Sequence, residues 1–229
     1  MLLNKRVRKS VTWLGNSFED LRAFPPEVRK NAGYQLHRVQ MGLEAADWKP
    51  MPEIGHGVEE IRLRHESGAY RIIYLARVED AVYVLHCFSK KTQRTSRLDK
   101  HIAQVRFQAV WQEHRSSMSH VVDTKIRHVT SAQANIFSEL GFDDAEAKQL
   151  QQDAEREVEQ LIQLKQQLMQ EIAIWIDEKH MKQSEAAVRL NISRPRVSDV
   201  VNQKTNKFTL DALVMMLAKL GKPVTVQVG

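Results

Sequence analysis

The sequence predicts an α+β amino-terminal domain, built as an antiparallel sheet with helices, followed by an all-α helix-turn-helix domain ending in a short strand. Three observations carry this expectation. Three β-rich runs, Val58 to His65, Tyr70 to Val78 and Ala81 to Ser89, are joined by the hairpin-length turns Glu66-Ser67-Gly68 and Glu79-Asp80, which predicts an antiparallel meander. Apolar residues recur at helical spacing from Ala145 to Lys179. Between Gln183 and Val201, two short amphipathic segments flank a tight turn. A chain of 229 residues has room for two domains of ordinary size, each with its own core.

The first half reads as strand, helix, helix, three strands, helix. Lys9 to Leu14 is a short alternating run suited to a strand, and Asn16, Ser17, Glu19 and Asp20 supply the cap and first-turn acids of a helix ending at Pro25-Pro26. From Glu27 onward, Val28, Ala32, Tyr34, Leu36, Val39 and Leu43 roughly follow a helical stripe, which makes a helical hairpin. Trp48 to Gly57, with two prolines and two glycines, reads as a loop. Ser96 is placed as an N-cap, three residues before Asp99, for a helix reaching about His114.

The small polar run Arg115 to His120 breaks the pattern, and no steady period follows up to Ala134. The expected division is therefore a domain over 1–115, a linker over 116–134 and a second domain over 135–229. Leu150, Ala154, Val158, Leu161, Leu164, Leu168, Ile172 and Trp175 mark one long or broken helix. Its heptad is irregular, which favours packing on a partner or on the first domain over a coiled coil.

Hydrophobic content of 42% and charged content of 27% fit a soluble globular protein, and no signal-peptide core or long apolar run is present, so the expected location is the cytoplasm, away from membranes. The single cysteine, Cys87, lies in an apolar stretch and is expected in the core. The net charge of +6 is unevenly spread. Met1 to Ser117 holds 20 Lys/Arg against 13 Asp/Glu, Glu139 to Glu178 holds 11 acidic against 3 basic residues, and Lys179 to Lys222 holds 9 basic against 3 acidic. Two basic regions flanking an acidic one suit polyanion partners, with the acidic tract able to cover a basic surface.

Gln183 to Val201 carries the most specific local signal, at about 182–202. Ala186, Ala187 and Leu190 are apolar on one short helix, Asn191 and Ile192 make the turn, and Ser193 is expected to cap a second helix whose Val197, Val200 and Val201 face inward. Arg194, Pro195, Arg196 and Ser198 then occupy the positions that enter a major groove. Gln183 is placed to touch backbone, and Lys204 and Lys207 to neutralise phosphates. Pro195 is tolerated because a first helical turn leaves its N–H unpaired anyway. The stretch SEAAVRLNISRPRVSDVVNQKTNKFTLDALVMMLAKLG resembles the Xre/HigA antitoxin family over nearly all of Met118 to Gly229, with a Pro223 to Val228 strand at the end. The resemblance implies a homodimer binding palindromic operator DNA.

The first half has no HExxH, no metal-spaced His/Cys group, no Gly-rich phosphate loop and no nucleophile elbow, so neither a metal nor a cofactor is expected. It does carry positive charge on and just after its sheet: Arg62, Arg64, Arg71, His86, Lys90 and Lys91, with Lys100 and His101 on the last helix. Such a set can cut RNA, because the substrate's own 2′-OH attacks the neighbouring phosphate once it is oriented and the extra negative charge is held. Strand alternation puts Arg62 and Arg64 on one face but Lys90 and Lys91 on opposite ones. Arg71, among apolar neighbours, stands out because an unpaired charge there would be costly.

The strand order, with YRIIY at Tyr70 to Tyr74 and the VLHCFSKKTQRT run, resembles the HigB/RelE toxin superfamily, and especially its phage Gp49-like branch, over about Lys5 to His114. The resemblance implies a RelE-like fold, a ribosome-dependent messenger-RNA endonuclease, Arg71 on the scissile phosphate, and Lys90 and Lys91 at the catalytic end of the last strand. Arg64 and His86 complete the candidate catalytic set; Arg62, Lys100 and His101 are candidate RNA contacts.

The expected protein is thus a toxin joined to its own antitoxin, the second half neutralising the first and repressing a shared operator. Its partners would be operator DNA, the ribosome with messenger RNA, and the toxin–antitoxin contact itself. Occlusion of Arg71 and the lysines by the acidic helix is the simplest arrangement. Two rivals use the same residues. One is a repressor whose first half is a catalytically dead sensor or dimerisation module; the other is an RNA-binding or ribosome-associated protein that does not cleave.

Overall fold

The computed structural model describes residues 7–78, 81–90, 96–111 and 122–225. Two compact units divide the chain, Met1–Glu155 and Arg156–Gly229.

The first unit is a six-stranded sheet with helices on both faces. In chain order its elements are β1 (Ser10–Leu14), α1 (Ser17–Arg22), α2 (Pro26–Gln40), β2 (Trp48–Pro50), β3 (Val58–His65), β4 (Gly68–Val78), β5 (Ala81–Lys90), α3 (Arg97–Trp111), β6 (Ile126–Thr130) and α4 (Ile136–Glu139), followed by the first turns of α5 (Asp144–Glu178). The sheet order is β2-β3-β4-β5-β1-β6. The β3-β4-β5 meander is antiparallel, as the short turns predict, and β2 and β6 are antiparallel edge strands. The sheet as a whole is mixed, since β1 lies parallel to β5 with Ser10 opposite Ala81 and Trp13 opposite Val84. A parallel neighbour is possible because the helical hairpin and the meander lie between the two strands and supply the crossover.

Alternation along the strands separates two cores. On one face, Trp13, Ile61, Leu63, Ile72, Tyr74, Val84 and the buried Cys87 meet Phe18 and Leu21 of α1 and Val28, Ala32 and Leu36 of α2. On the other face, Leu14, Val58, Ile73, Leu75, Leu85 and Phe88 meet Ala103 of α3 and Met51 and Ile54 from the β2–β3 connection. Each large side chain withdrawn from water in this way contributes about 1.5–3 kcal/mol.

Three local expectations differ from the structure. Pro50 lies in an edge strand, within a stretch read as loop, because the edge position leaves its missing N–H unneeded. Asn16 makes no side-chain cap to α1; its Oδ1 accepts from the Arg106 guanidinium instead. The domain seam also falls later than 116–134. Ile126–Thr130 pairs with β1, and Ile136, Phe137, Leu140, Ala147, Leu150 and Ala154 join the core beside α1 and α2. These turns of the acidic helix therefore pack on the α1–α2 side of the sheet, whereas the expected occlusion is of Arg71 and the lysines, and Arg71 lies in register with Phe88 on the opposite face. Residues 112–121, which include the start of the expected linker, lie outside the described residues.

The second unit holds the rest of α5 with α6 (Gln183–Leu190), α7 (Arg194–Val201), a 3-10 turn (Thr205–Lys207) and α8 (Leu210–Lys219). Leu168, Met169 and Ile172 of α5 pack with Ala186, Leu190, Val197, Val200, Phe208, Leu213 and Leu217. Thr209 caps α8 by accepting from the Ala212 N–H at 3.1 Å. Of the expected Pro223 to Val228 strand, 223–225 are not in a strand and 226–229 lie outside the described residues.

Candidate nucleic-acid interfaces

The antiparallel register fixes a small array on the α3 face of the first sheet. Directly opposed residues share a face. Arg64, Ala69 and Lys90 form one row across β3, β4 and β5; Arg62, Arg71 and Phe88 form the next; Glu60, Ile73 and His86 form the third. Lys49 of β2 sits opposite Glu60. Five of the proposed residues, Arg62, Arg64, Arg71, His86 and Lys90, are thereby brought together from three strands. Lys91 lies outside the described residues.

The cations differ in how they are held. Arg71 is buried, with Nε 3.3 Å from Glu60 Oε1 and Nη1 donating to the Tyr70 carbonyl at 2.8 Å. Burial draws its pKa down while Glu60 acts in the opposite sense. Arg62 is half-buried and salt-bridged to Asp47 at 2.5 Å, whereas Arg64 is exposed and Lys90 half-buried. The Lys90 ammonium is pulled below its ordinary range, first by desolvation and then by Arg71. Between Arg64 and Lys90 the sheet offers only the methyl group of Ala69, so two cations flank a shallow floor.

His86 stands at the inner end of the array. Its Nε2 lies 3.0 Å from Asp99 Oδ1, and its ring stacks on Phe88 with centroids 5.1 Å apart. Asp99 is fixed in turn by Ser96, whose hydroxyl donates to Asp99 Oδ2 at 2.5 Å and accepts from the Asp99 N–H at 3.1 Å. A carboxylate only accepts, so the ring proton belongs on Nε2, leaving Nδ1 with its lone pair. Burial lowers the His86 pKa further than Asp99 raises it, which keeps the imidazole neutral at physiological pH.

Lys100 and His101 do not join the array. Lys100 pairs with Glu53 at 2.9 Å, and His101 is exposed on α3. Two members escaped a sequence reading that counted cations. Glu60 is fully buried beneath them, although the alternation Glu60, Arg62, Arg64 already puts it on their face; Lys49 was hidden in the stretch read as loop.

The second interface is the turn between α6 and α7. Asn191 takes the left-handed conformation at φ 56°, and the Ile192 N–H returns to the Ala187 carbonyl at 3.0 Å, closing the expected turn. Ser193 precedes α7 in extended conformation but makes no side-chain cap; its carbonyl accepts from the Val197 N–H. Pro195 lies in the first turn, where it takes no helical bond away. Arg194, Pro195 and Arg196 are exposed and Ser198 half-buried. Arg196 is already occupied, stacked over Phe208 at 4.4 Å and donating to the Lys207 carbonyl at 3.1 Å. Lys204 pairs with Asp199 at 2.8 Å, Lys207 is exposed, and Gln183 starts α6 half-buried.

Residues 19–108 match the family model of the phage derived protein Gp49-like, and residues 150–229 match a helix-turn-helix domain. The chain joins a Gp49-like domain to a helix-turn-helix domain. The Gp49-like match spans the α1-to-α3 part of the sheet unit and the whole cation array, while the helix-turn-helix match begins inside α5 and includes α6 and α7. The pair fits a toxin-family domain fused to a DNA-binding antitoxin. No curated protein and no solved structure matches the chain. Among the described residues no helix is long and apolar enough to cross a membrane.

Proposed function

We propose that the Gp49-like unit is a messenger-RNA endonuclease acting at the ribosome, and that the helix-turn-helix unit binds the operator of its own gene as a homodimer. The observation carrying the first claim is the three-by-three array, which concentrates cations around a shallow floor and ends in a neutral histidine. Arg64 and Lys90, flanking Ala69, are suited to adjacent RNA phosphates, with Arg62 adding charge from β3 and Lys49 from the edge strand β2. Arg71, tied to Glu60, serves as a fixed positive background more than as a mobile clamp. His86 Nδ1 is itself buried, so the ring braces the inner end of the array while the 2′-OH proton passes to solvent as that oxygen attacks phosphorus. The P–O5′ bond then breaks, giving a 2′,3′-cyclic phosphate and, after protonation, a 5′-hydroxyl. Lys90, with its lowered pKa, suits the leaving-group proton.

On the DNA side, Arg194 is the exposed arginine at the start of α7 that no neighbour among the described residues holds as Phe208 holds Arg196, and it is assigned the base contact. Arg196 and Lys207 are assigned to phosphate.

The test expresses residues 1–155, the complete first unit, under tight control beside the full chain and an Arg64→Ala/Lys90→Ala copy, and maps new 5′-hydroxyl ends in translated messages. Cuts from the unit that vanish in the double variant support the nuclease. Harmless expression of all three with no cuts leaves the repressor with a non-catalytic first unit.

A further inference from the structure

Residues 122–155 form a strap that the two family matches largely leave aside, since these end at 108 and resume at 150. Every part of it is bonded into the Gp49-like unit. The Asp123 carbonyl accepts from Arg106 Nε at 2.8 Å, and Arg106, itself buried, also donates to the Leu85 carbonyl. β6 extends the sheet with Thr12 opposite Val129 and Trp13 opposite His128. Trp13 Nε1 donates to Thr130 Oγ1 at 3.0 Å, and the His128 ring stacks on Phe18 at 4.0 Å.

The rest of the strap turns an apolar face, Ile136, Phe137, Leu140, Ala147, Leu150 and Ala154, into the core. Asn135 caps α4 by accepting from the Phe137 N–H and ties it to α5 through the Ala147 carbonyl. Phe137 is fully buried against α2 at Gly33, where a Cβ would stand 2.4 Å from its ring. Arg8 closes the far end, donating to the Ala132 carbonyl and pairing with Glu155 at 3.7 Å. Strand addition supplies main-chain bonds, and an aromatic plug in a fitted hollow supplies burial, which together form a peptide-recognition mode.

We propose that residues 122–155 are a non-covalent ligand of the Gp49-like fold. They dock on the β1 edge and the α1–α2 layer, behind the cation array, and stay there without help from the covalent link. The strap is the antitoxin's grip on the toxin, a meaning that rests on the toxin–antitoxin reading; the docking itself does not.

The experiment uses the full-length chain with a protease site placed within 112–121. After cleavage, the two pieces are passed over a native sizing column at low micromolar concentration. They are expected to elute together and to part only in denaturant. Gly33→Met, whose side chain collides with the Phe137 ring, is expected to weaken retention by roughly tenfold to a hundredfold, and Gly33→Met/Phe137→Ala to recover much of it. Phe137→Ala alone changes only the strap and is expected to loosen it as well. Separation of the wild-type pieces in native buffer overturns the proposal, and so does retention indifferent to both residues. RNA cleavage is no part of the readout: a unit that never cuts RNA still holds its strap if the docking is real, and an active nuclease that sheds it refutes the docking alone.

Discussion

Arg71 Nε lies 3.3 Å from Oε1 of Glu60, and both side chains are withdrawn from solvent in the middle of the cation array. Breaking such a pair leaves a buried charge without its counter-charge, which costs more than the pair itself contributes. Glu60→Leu is expected to destabilise the first unit by about 3–5 kcal/mol, read from the urea midpoint. Exposed Arg64→Ala is expected to leave the midpoint nearly unchanged while weakening RNA binding.

His37 on α2 is fully buried, and neither ring nitrogen has a hydrogen-bond partner among the described residues. Burial, helped by Arg8 and opposed by Glu155, lowers its pKa to about 4. The folded state therefore refuses a proton that the unfolded chain accepts near its ordinary value of 6.5. Stability is unaffected by this group above pH 6.5 and falls as the pH drops from there to about 4, by about 3 kcal/mol in all. Thermal melts across that range should show the slope, and His37→Gln should flatten it.

At the DNA interface the two arginines of α7 should separate. Arg194→Ala is expected to lose about 1–3 kcal/mol of discrimination at one base pair, and Lys207→Ala to weaken all sequences alike and reduce the salt slope by about 1. Arg196→Ala, which removes the stack on Phe208, should additionally lower the melting temperature of the second unit. Binding to a selected operator at several salt concentrations, beside melts of each variant, distinguishes the three.

Cys87 is buried, and desolvation raises its thiol well above the ordinary range. Alkylation under native conditions is expected to be slower than in the unfolded chain by roughly a thousandfold or more. Mass spectrometry after timed labelling checks this; rapid native labelling would place Cys87 outside the core.

Where one face of a segment meets a core, its pattern was legible. The alternation of β3 to β5, Val28, Ala32, Leu36 and Val39 on α2, and Ala186, Ala187, Leu190, Val197 and Val200 on α6 and α7 reappear as buried residues, whereas Val201, expected to face inward, is exposed. The edge strands were not legible. β6 exposes Ile126 and Val129 and buries Thr130, the reverse of what hydrophobicity suggests, because its anchor is the hydrogen bond from Trp13. Nor did composition reveal that Arg71 has an internal counter-charge or that Arg196 is stacked on Phe208. Both depend on residues brought together only by the register or by a returning turn.

The position of β1 governs when the first unit can exist during synthesis. It is the first strand made, yet it lies inside the sheet with β5 on one side and β6 on the other. Its partners begin at Ala81 and at Ile126, so both of its edges stay unpaired while the intervening chain is still being translated. At about 5–20 residues per second, closing the second edge comes some seconds after the cation array has been made. The ribosome thus releases the array and the segment that seals the sheet in a fixed order, and truncation between them would leave an exposed strand edge prone to pairing with other chains.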